Sequence, residues 1–166
     1  MTKAWEARYF VYLCKKCVMS FIKSTHHIVF STKYREETIN IGNERELYAY
    51  IMGIINNLGG FLYRIGGMPD HIHILVDVPA TKSLSDFVKT IKQSSSLWMK
   101  NNTKFPKWRG WEDGYGAFSY SKNELQNVVE YIKSQKEHHK RFSFIEEYRA
   151  WLIEMGISQD VPYFPK

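Results

Sequence analysis

Apolar residues follow two different spacings along the chain, and these spacings alternate from residue 26 onward. Short runs rich in β-branched and aromatic residues, which are typical of strands, occur four times. They lie at residues 26–32, 61–65, 71–78 and 116–120. Between and after them, apolar residues recur every three or four positions, as in helices that bury one face. The pattern therefore predicts the order β-α-β-β-α-β-α-α.

Polar residues mark where the predicted helices begin. Asn43, Ser83 and Ser121 each stand three residues before an acidic residue, a spacing that favours a capped helix N-terminus. The helix that starts near Ser121 is predicted to continue into a basic stretch, and a last helix covers about 143–156. A turn is predicted at 66–70, where two glycines precede a proline.

The first six elements match the split βαβ, or ferredoxin-like, arrangement. The predicted fold class is therefore α+β, with an antiparallel sheet, helices on one face and additional C-terminal helices. In this arrangement the third strand is central. Side chains on that strand lie in the middle of the sheet and not at its edge.

The first 18 residues do not fit this pattern. They contain Cys14 and Cys17, a C-x-x-C spacing that is half of a zinc site or a redox motif. The second ligand pair and the βαβ context are both missing. We therefore interpret residues 1–18 as an N-terminal extension, with Met19 as a candidate start, and residues 19–166 as a single domain.

Composition narrows the class of protein. Hydrophobic residues make up 44% of the 166 residues, which excludes a disordered or fibrous chain. No apolar run is long enough to cross a membrane. Charged residues interrupt the apolar N-terminal stretch, which argues against a signal peptide. Two cysteines do not form a disulfide framework. These features predict a cytoplasmic protein.

The charge balance points to an anionic partner. Lysine and arginine number 23 against 17 acidic residues, a net charge of +6. An excess of this size favours nucleic acid, although many basic proteins bind none. Net charge alone therefore does not establish a nucleic-acid partner, and the interpretation depends on residues that could act on nucleic acid.

The first candidate chemistry is the pair His71 and His73 on the third strand. Alternate residues of a strand share a face, so both imidazoles point the same way while Ile72 and Ile74 point into the opposite layer. Two such imidazoles can chelate one divalent metal. The alternative is a pair of surface or hydrogen-bonded histidines on a half-polar face, because short motifs often arise by chance.

Tyr131 and Gln135 form the second candidate element. Residues four apart share a helix face, so a phenol and an amide project together from one continuous helix. A tyrosine oxygen can attack a phosphodiester as a covalent nucleophile, and a metal would neutralise the phosphate charge. Gln135 is then a candidate third ligand of Mg²⁺ or Mn²⁺. The alternative for Tyr131 is a half-buried boundary residue.

Several stretches, in this order, resemble the single-tyrosine HUH transposases of bacterial insertion sequences, including repeat-associated tyrosine transposases. The run from Pro69 to Val76 resembles their HUH motif, and residues 26–35 resemble their opening strand. Residues 111–119 resemble the stretch before their fourth strand, and 131–135 their tyrosine helix. The resemblance covers about residues 20–155.

The resemblance implies a specific activity. Such enzymes cut and rejoin single-stranded DNA through a 5′-phosphotyrosine, recognise DNA hairpins, and act as homodimers with shared active sites. By motif match, His71, His73 and Gln135 would hold a divalent metal and Tyr131 would be the nucleophile. A phosphotyrosine keeps the energy of the broken bond, which suits strand transfer more than degradation.

Basic side chains near these motifs are candidates for phosphate contact. They are Lys33, Arg35, Lys89, Lys92, Lys133 and Lys136. The alternative for each is an ordinary solvated surface. Trp108 and Trp111 either stack on extruded bases or anchor their loop. The adjacent pair at residues 138–139 is not expected to chelate jointly, because neighbours on a helix do not share a face.

Two other functions stay open at the level of sequence. A ferredoxin-like sheet can bind single strands without cleaving them, although the aromatic residues that such modules carry on the third strand are replaced here by histidines. A domesticated relative that acts on chromosomal repeat hairpins would carry the same residues, and its genomic neighbours would distinguish it.

Overall fold

The computed structural model describes residues 22–139, 143–154 and 156–157. The predicted extension at 1–18, with Cys14 and Cys17, lies outside the described residues. Its separation from the domain stays a prediction.

Four antiparallel strands form the sheet, in the order β2-β3-β1-β4. Their bounds are β1 Thr25–Ser31, β2 Phe61–Met68, β3 His71–Asp77 and β4 Gly116–Ser119. The helices are α1 Glu44–Asn57, α2 Leu84–Lys100, α3 Leu125–Lys133, α4 Gln135–His138 and α5 Phe144–Glu154. Strand β3 lies between β1 and β2, which confirms the ferredoxin-like order and the central third strand.

Helices α1 and α2 cover one face of the sheet. Strand residues that point this way are fully buried, among them Ile28, Ile72 and Ile74. They pack in one cluster with Leu47 of α1 and Phe87 of α2. The alternation predicted for β3 is therefore confirmed, because its isoleucines face this layer.

The C-terminal helices cover the opposite face. Leu75 packs on Val128 and Ile132 of α3, while α5 packs through Trp151 on the β1 residue Val29. Both faces of the sheet are thus closed. The histidines of β3 point into this second layer, where helices bury them, and not towards solvent as the surface alternative required.

The second strand is longer than its sequence predicted. It includes Gly66 and Gly67, which were expected in the turn, so the reversal to β3 is confined to Pro69 and Asp70. A Cβ atom on Gly67 would lie 2.3 Å from the backbone oxygen of His71. Gly67 is thus needed because two paired strands approach closely at this position. From the sequence alone, such a glycine cannot be distinguished from a turn glycine.

The predicted continuous helix through Tyr131 and Gln135 is interrupted at Ser134. Helix α3 ends at Lys133, and α4 begins at Gln135. The Ser134 hydroxyl donates to the Tyr131 carbonyl at 3.1 Å, so a side chain competes for the carbonyl of the last turn. Gln135 therefore projects from the start of a separate short helix.

The predicted helix starts differ in their outcome. Ser83 caps α2, since its hydroxyl accepts from the Asp86 amide at 3.0 Å. Asn43 occupies the N-cap position of α1 without a side-chain cap bond. Ser121 hydrogen-bonds with Glu124, but α3 begins one turn later, at Leu125.

In the described part of the chain, no helix has the length and apolar character that crossing a membrane requires.

Candidate metal centre and nucleophile

His71 and His73 lie side by side on β3, with ring centroids 5.0 Å apart. Both belong to the central strand, and the C-terminal helices cover them. His71 is 1% exposed and His73 is 0% exposed. Two imidazoles this deeply buried need partners for their ring nitrogens, because burying an unpaired polar atom is costly.

His71 is held by an ionised carboxylate. Its Nδ1 lies 2.7 Å from Asp70 Oδ1, and Arg35 Nη2 donates to the other carboxylate oxygen at 2.7 Å. Burial raises the pKa of Asp70, but the hydrogen bonds from His71 and Arg35 prevail and lower it to about 2. Asp70 therefore accepts a hydrogen bond from His71 Nδ1. The Nε2 atom is buried, and no described residue hydrogen-bonds to it.

His73 is held by a third histidine from β1. Its Nδ1 lies 3.0 Å from His27 Nε2. Burial lowers the pKa of His27 to about 3, so that ring is neutral and can accept through Nε2. A proton on His73 Nδ1 then leaves the lone pair on its Nε2. Metal-ligating histidines have this type of outer partner.

Tyr131 lies beside these histidines in the same chain. Its ring centroid is 6.0 Å from that of His73 and 6.2 Å from that of His27. The ring of Trp151 from α5 lies 5.7 Å from that of Tyr131 and also contacts both histidines. The phenol oxygen is buried. The structure therefore brings the predicted nucleophile and the predicted metal ligands together, under a helix.

Gln135 also reaches this buried layer. Its side chain is 2% exposed, and Nε2 donates to Glu147 Oε1 at 3.0 Å. The amide oxygen is buried without a hydrogen bond from any described residue. An amide held by its nitrogen and presenting its oxygen fits a metal ligand, so the residues expected to hold the ion suit the task.

Two residues in the site were missed by the sequence analysis. One donor atom each of His71, His73, His139 and Glu147 lies within 4.8 Å of the others. His139 Nε2 is 3.3 Å from Glu147 Oε2. Burial first, and then the nearby charge of Asp70, raises the pKa of Glu147 to about 8.

The signal for Glu147 was present in the last predicted helix. Glu147 occupies a position three residues after Phe144 and four before Trp151, on a stripe that is otherwise apolar. A carboxylate at such a position is a candidate ligand. His139 was set aside with its neighbour as a pair, although a single histidine at the end of a helix can reach a site alone.

A cavity of about 700 Å³ opens beside the histidines. Its lining includes Tyr34, Arg35, Tyr115, Phe144 and Tyr148. Phe144 joins the cavity to the site, because its ring lies 4.5 Å from that of His71. Arg35 lies over the same phenyl ring at 4.7 Å. The cavity thus combines aromatic surfaces with a cation next to the candidate metal ligands.

Three of the predicted DNA-contacting residues have partners within the protein. Arg35 binds Asp70, and Lys33 binds Glu112 at 3.0 Å. Lys92 donates to the backbone oxygens of Glu112 and Gly114 and so fastens the loop before β4. These contacts give each of the three residues a structural role. Their contact with DNA stays a prediction.

The other three lie on the surface. Lys133 pairs with Glu130 at 2.7 Å, and both side chains are exposed. Lys136 is exposed and pairs at 2.5 Å with Glu44, which is partly buried. Lys89 is exposed on α2. Exposed ion pairs are weak, so all three can exchange their surroundings for phosphate.

Trp108 and Trp111 anchor their loop. Trp111 is 7% exposed and donates to Ser95 Oγ at 3.0 Å, while Trp108 donates to the Ser96 carbonyl at 3.1 Å. Their rings pack edge to face at 4.6 Å. The anchoring alternative therefore describes the position of both tryptophans.

Sequence comparisons place the chain among known proteins. The family model described as IS200-like transposases matches residues 20–135. The ISDra2 transposase TnpA of Deinococcus radiodurans is 28% identical over 116 residues, covering 66% of this chain and 82% of that protein. The transposase for insertion sequence element IS200 of Salmonella typhimurium is 30% identical over 121 residues, covering 69% of this chain and 78% of that protein.

Solved structures with the same fold support this placement. A Deinococcus radiodurans protein described as a transposase superposes with a TM-score of 0.57 at 27% identity, covering 73% of this chain and 97% of that one. A REP-associated tyrosine transposase bound to a REP hairpin gives a TM-score of 0.56 at 14% identity, covering 75% of this chain and 73% of that one. The second likeness concerns the fold alone.

Proposed function

Because the chain belongs to the IS200-like transposases, we propose that it cleaves and rejoins single-stranded DNA with Tyr131 as the nucleophile. The observation that carries this proposal is the position of Tyr131 beside His73, on the face where the buried histidines of β3 gather. A non-catalytic binding module has no need for a tyrosine at that place. The transposition of an insertion sequence is the activity that such chemistry serves.

The proposed cleavage is a transesterification. The Tyr131 oxygen forms a bond to phosphorus, and the bond from phosphorus to the 3′-oxygen of the upstream strand breaks. The phenol loses one proton and the departing 3′-oxygen gains one, so the protons balance. The downstream strand remains attached as a 5′-phosphotyrosine. Attack by another 3′-hydroxyl reverses the step and joins new strands.

The metal ligands in this proposal are His71, His73 and Gln135. Asp70 and His27 hold the Nδ1 atoms of the two histidines, which directs both Nε2 lone pairs to one place. A bound Mg²⁺ or Mn²⁺ would neutralise phosphate charge and orient the scissile bond. The chain itself supplies the arrangement that receives the ion.

Substrate access requires α5 to move. Trp151 packs against Tyr131, and the phenol oxygen is buried. A phosphodiester cannot reach that oxygen while the helix lies in this position. We therefore propose that DNA displaces α5, or part of it, before cleavage.

In this proposal one chain supplies both the tyrosine and the metal ligands, and the support is that Tyr131 lies beside His73 of the same molecule. The family resemblance led us to expect a homodimer with shared sites. The homodimer remains part of the proposal, with each chain supplying its own tyrosine when α5 is closed.

Single-stranded DNA is proposed to enter through the cavity beside the site. Tyr34 and Tyr115 are exposed and offer rings for stacking on bases, and Arg35 offers a cation near the phosphates. We propose that a hairpin next to the cleavage position contacts lysine side chains of the protein. We assign its phosphate contacts to residues with exposed or rearrangeable amino groups: Lys33, Lys89, Lys92, Lys133 and Lys136.

Covalent attachment tests this function. The protein with MnCl2 is mixed with a 3′-labelled single-stranded pool that carries a hairpin and randomised flanks. We expect a labelled protein band that resists denaturation. Tyr131→Phe should abolish that band and retain hairpin binding, because only the nucleophilic oxygen is lost.

The matched control is Tyr120→Phe. Tyr120 is a second tyrosine near the site, with its ring 6.2 Å from that of His27, and its loss should leave the labelled band. A band that persists in Tyr131→Phe would remove Tyr131 from the proposed role.

A further inference from the structure

Two members of the four-residue cluster lie beyond the part of the chain that the family model matches. The match ends at residue 135. His139 closes α4, and Glu147 lies within α5. Both nevertheless meet His71 and His73 with donor atoms no more than 4.8 Å apart. The C-terminal part of this chain therefore adds potential ligands to the predicted set.

His139 and Glu147 have the positions expected of metal ligands, because both side chains are buried and lie close to His71 and His73. The His139 side chain is 6% exposed and that of Glu147 is 3% exposed. The ring of His139 lies 4.7 Å from that of His71, centroid to centroid. Burying a carboxylate and several imidazoles in one spot is costly unless a cation or hydrogen bonds compensate. A divalent ion among them supplies that compensation.

Glu147 also organises the other donors. Its Oε1 accepts from Gln135 Nε2 at 3.0 Å, and its Oε2 lies 3.3 Å from His139. The residue thus links the predicted amide ligand of α4 to the second group that the sequence missed. A carboxylate has lone pairs enough to accept from Gln135 and to bind a metal.

We propose that His139 and Glu147 are further ligands of the metal held by His71 and His73, and that they make the site select Mn²⁺ over Mg²⁺. The inference rests on the metal site of the proposed function. Mg²⁺ favours oxygen ligands and keeps its waters, whereas three imidazoles and one carboxylate suit a transition metal. Because Glu147 lies on α5, metal binding in the absence of DNA also holds that helix over Tyr131.

The test measures metal binding without DNA. The metal-free full chain is titrated by calorimetry with MnCl2 and separately with MgCl2. We expect Mn²⁺ to bind at least about 100-fold more tightly. Glu147→Gln keeps an oxygen that accepts from Gln135 and loses the charge. It should weaken Mn²⁺ binding by about 100-fold or more, beyond the usual loss for an outer partner.

A spectroscopic readout separates a ligand from a neighbour. Pulsed electron paramagnetic resonance of the Mn²⁺ complex counts the imidazole nitrogens bound to the ion. We expect three in the wild-type protein and two in His139→Asn. Glu154→Gln on the exposed side of α5 and His26→Asn, a partly buried histidine of β1, are the matched controls. Both should bind Mn²⁺ within twofold of the wild type.

Two results would overturn the inference. One is an unchanged nitrogen count in His139→Asn, and the other is equal affinity of the wild-type protein for the two ions. Neither depends on the folding of Glu147→Gln. His71→Asn distinguishes the inference from its premise. If His71→Asn loses metal but Glu147→Gln and His139→Asn keep it, the proposed metal site stands without Glu147 and His139 as ligands. If His71→Asn also retains metal, the site itself is wrong.

Discussion

At the scale of single residues, each histidine of the HUH motif has a partner of its own. His71 donates to a carboxylate, while His73 bonds to His27, which burial keeps neutral. Both contacts orient a ring and fix the position of its proton. Strand alternation in the sequence predicted that the two imidazoles share one face of the sheet. It could not predict His27, because the contact joins β1 to β3 across 46 residues.

The role of His27 can be tested by substitution. His27→Phe keeps an aromatic ring of similar size but removes the acceptor of His73 Nδ1. We expect Mn²⁺ affinity to fall by about 10–100-fold, as for other outer partners of metal-bound histidines. His27→Gln offers an amide oxygen as acceptor and should recover part of that loss. Calorimetric titration measures both. Unchanged Mn²⁺ affinity in His27→Phe would mean that His27 serves packing alone.

At the scale of elements, composition and spacing predicted the positions of the strands. They predicted the helix starts only in part. Residues 71–77 form β3 within one residue of the expected range. The break at Ser134 was not expected, because the apolar spacing ends at Ile132 and the polar residues after it do not mark where the helix stops. The Ser134 hydroxyl donates to the Tyr131 carbonyl at this break, a contact that periodicity does not report.

The close approach of β2 and β3 gives a stability prediction. In Gly67→Ala, the added methyl group meets the His71 backbone oxygen, so the strands must separate. We expect a loss of about 1–3 kcal/mol in the free energy of unfolding, measured with urea. Gly53→Ala is the control, because a Cβ at this position of α1 meets nothing within 4 Å. It should stabilise the helix by about 0.5–1 kcal/mol. A neutral Gly67→Ala would contradict the packing described for this hairpin.

Helix α5 gives a prediction about motion. It covers Tyr131 through Trp151, and in the proposed function DNA reaches Tyr131 only after the helix moves. We expect amide hydrogen exchange across residues 144–154 to become faster when hairpin-containing single-stranded DNA binds. MnCl2 alone should slow the same exchange, because Glu147 would be bound to the ion. Exchange in α1 serves as the internal reference. Unchanged exchange in α5 upon DNA binding would show that DNA reaches the site by another path.

At the scale of the whole molecule, the net charge of +6 indicated an anionic partner but not its binding surface. The structure distributes the predicted contacts over two sides. Arg35 lies at the candidate metal centre, while Lys89 lies on α2, which covers the opposite face of the sheet. The fold could be predicted from the sequence, since element order fixes the sheet. The covering of the site by α5 could not, because it depends on long-range packing.

The surface lysine on α2 tests how far the DNA extends. If the hairpin reaches Lys89, then Lys89→Gln should weaken binding at all sequences and reduce the salt dependence of binding by about one phosphate contact. Fluorescence anisotropy at several salt concentrations measures this slope. Lys104→Gln is a control, because Lys104 binds Glu46 elsewhere on the surface. The same slope in wild type and Lys89→Gln would leave α2 outside the DNA interface.

The central claim is that Tyr131 becomes covalently bound to DNA. The most direct measurement is to isolate the protein–DNA adduct, digest both components and locate the remaining nucleotide by mass spectrometry. We expect a 5′-phosphonucleotide on the peptide that contains Tyr131. A nucleotide on Tyr120, on another residue, or on no residue despite strand cleavage would contradict it.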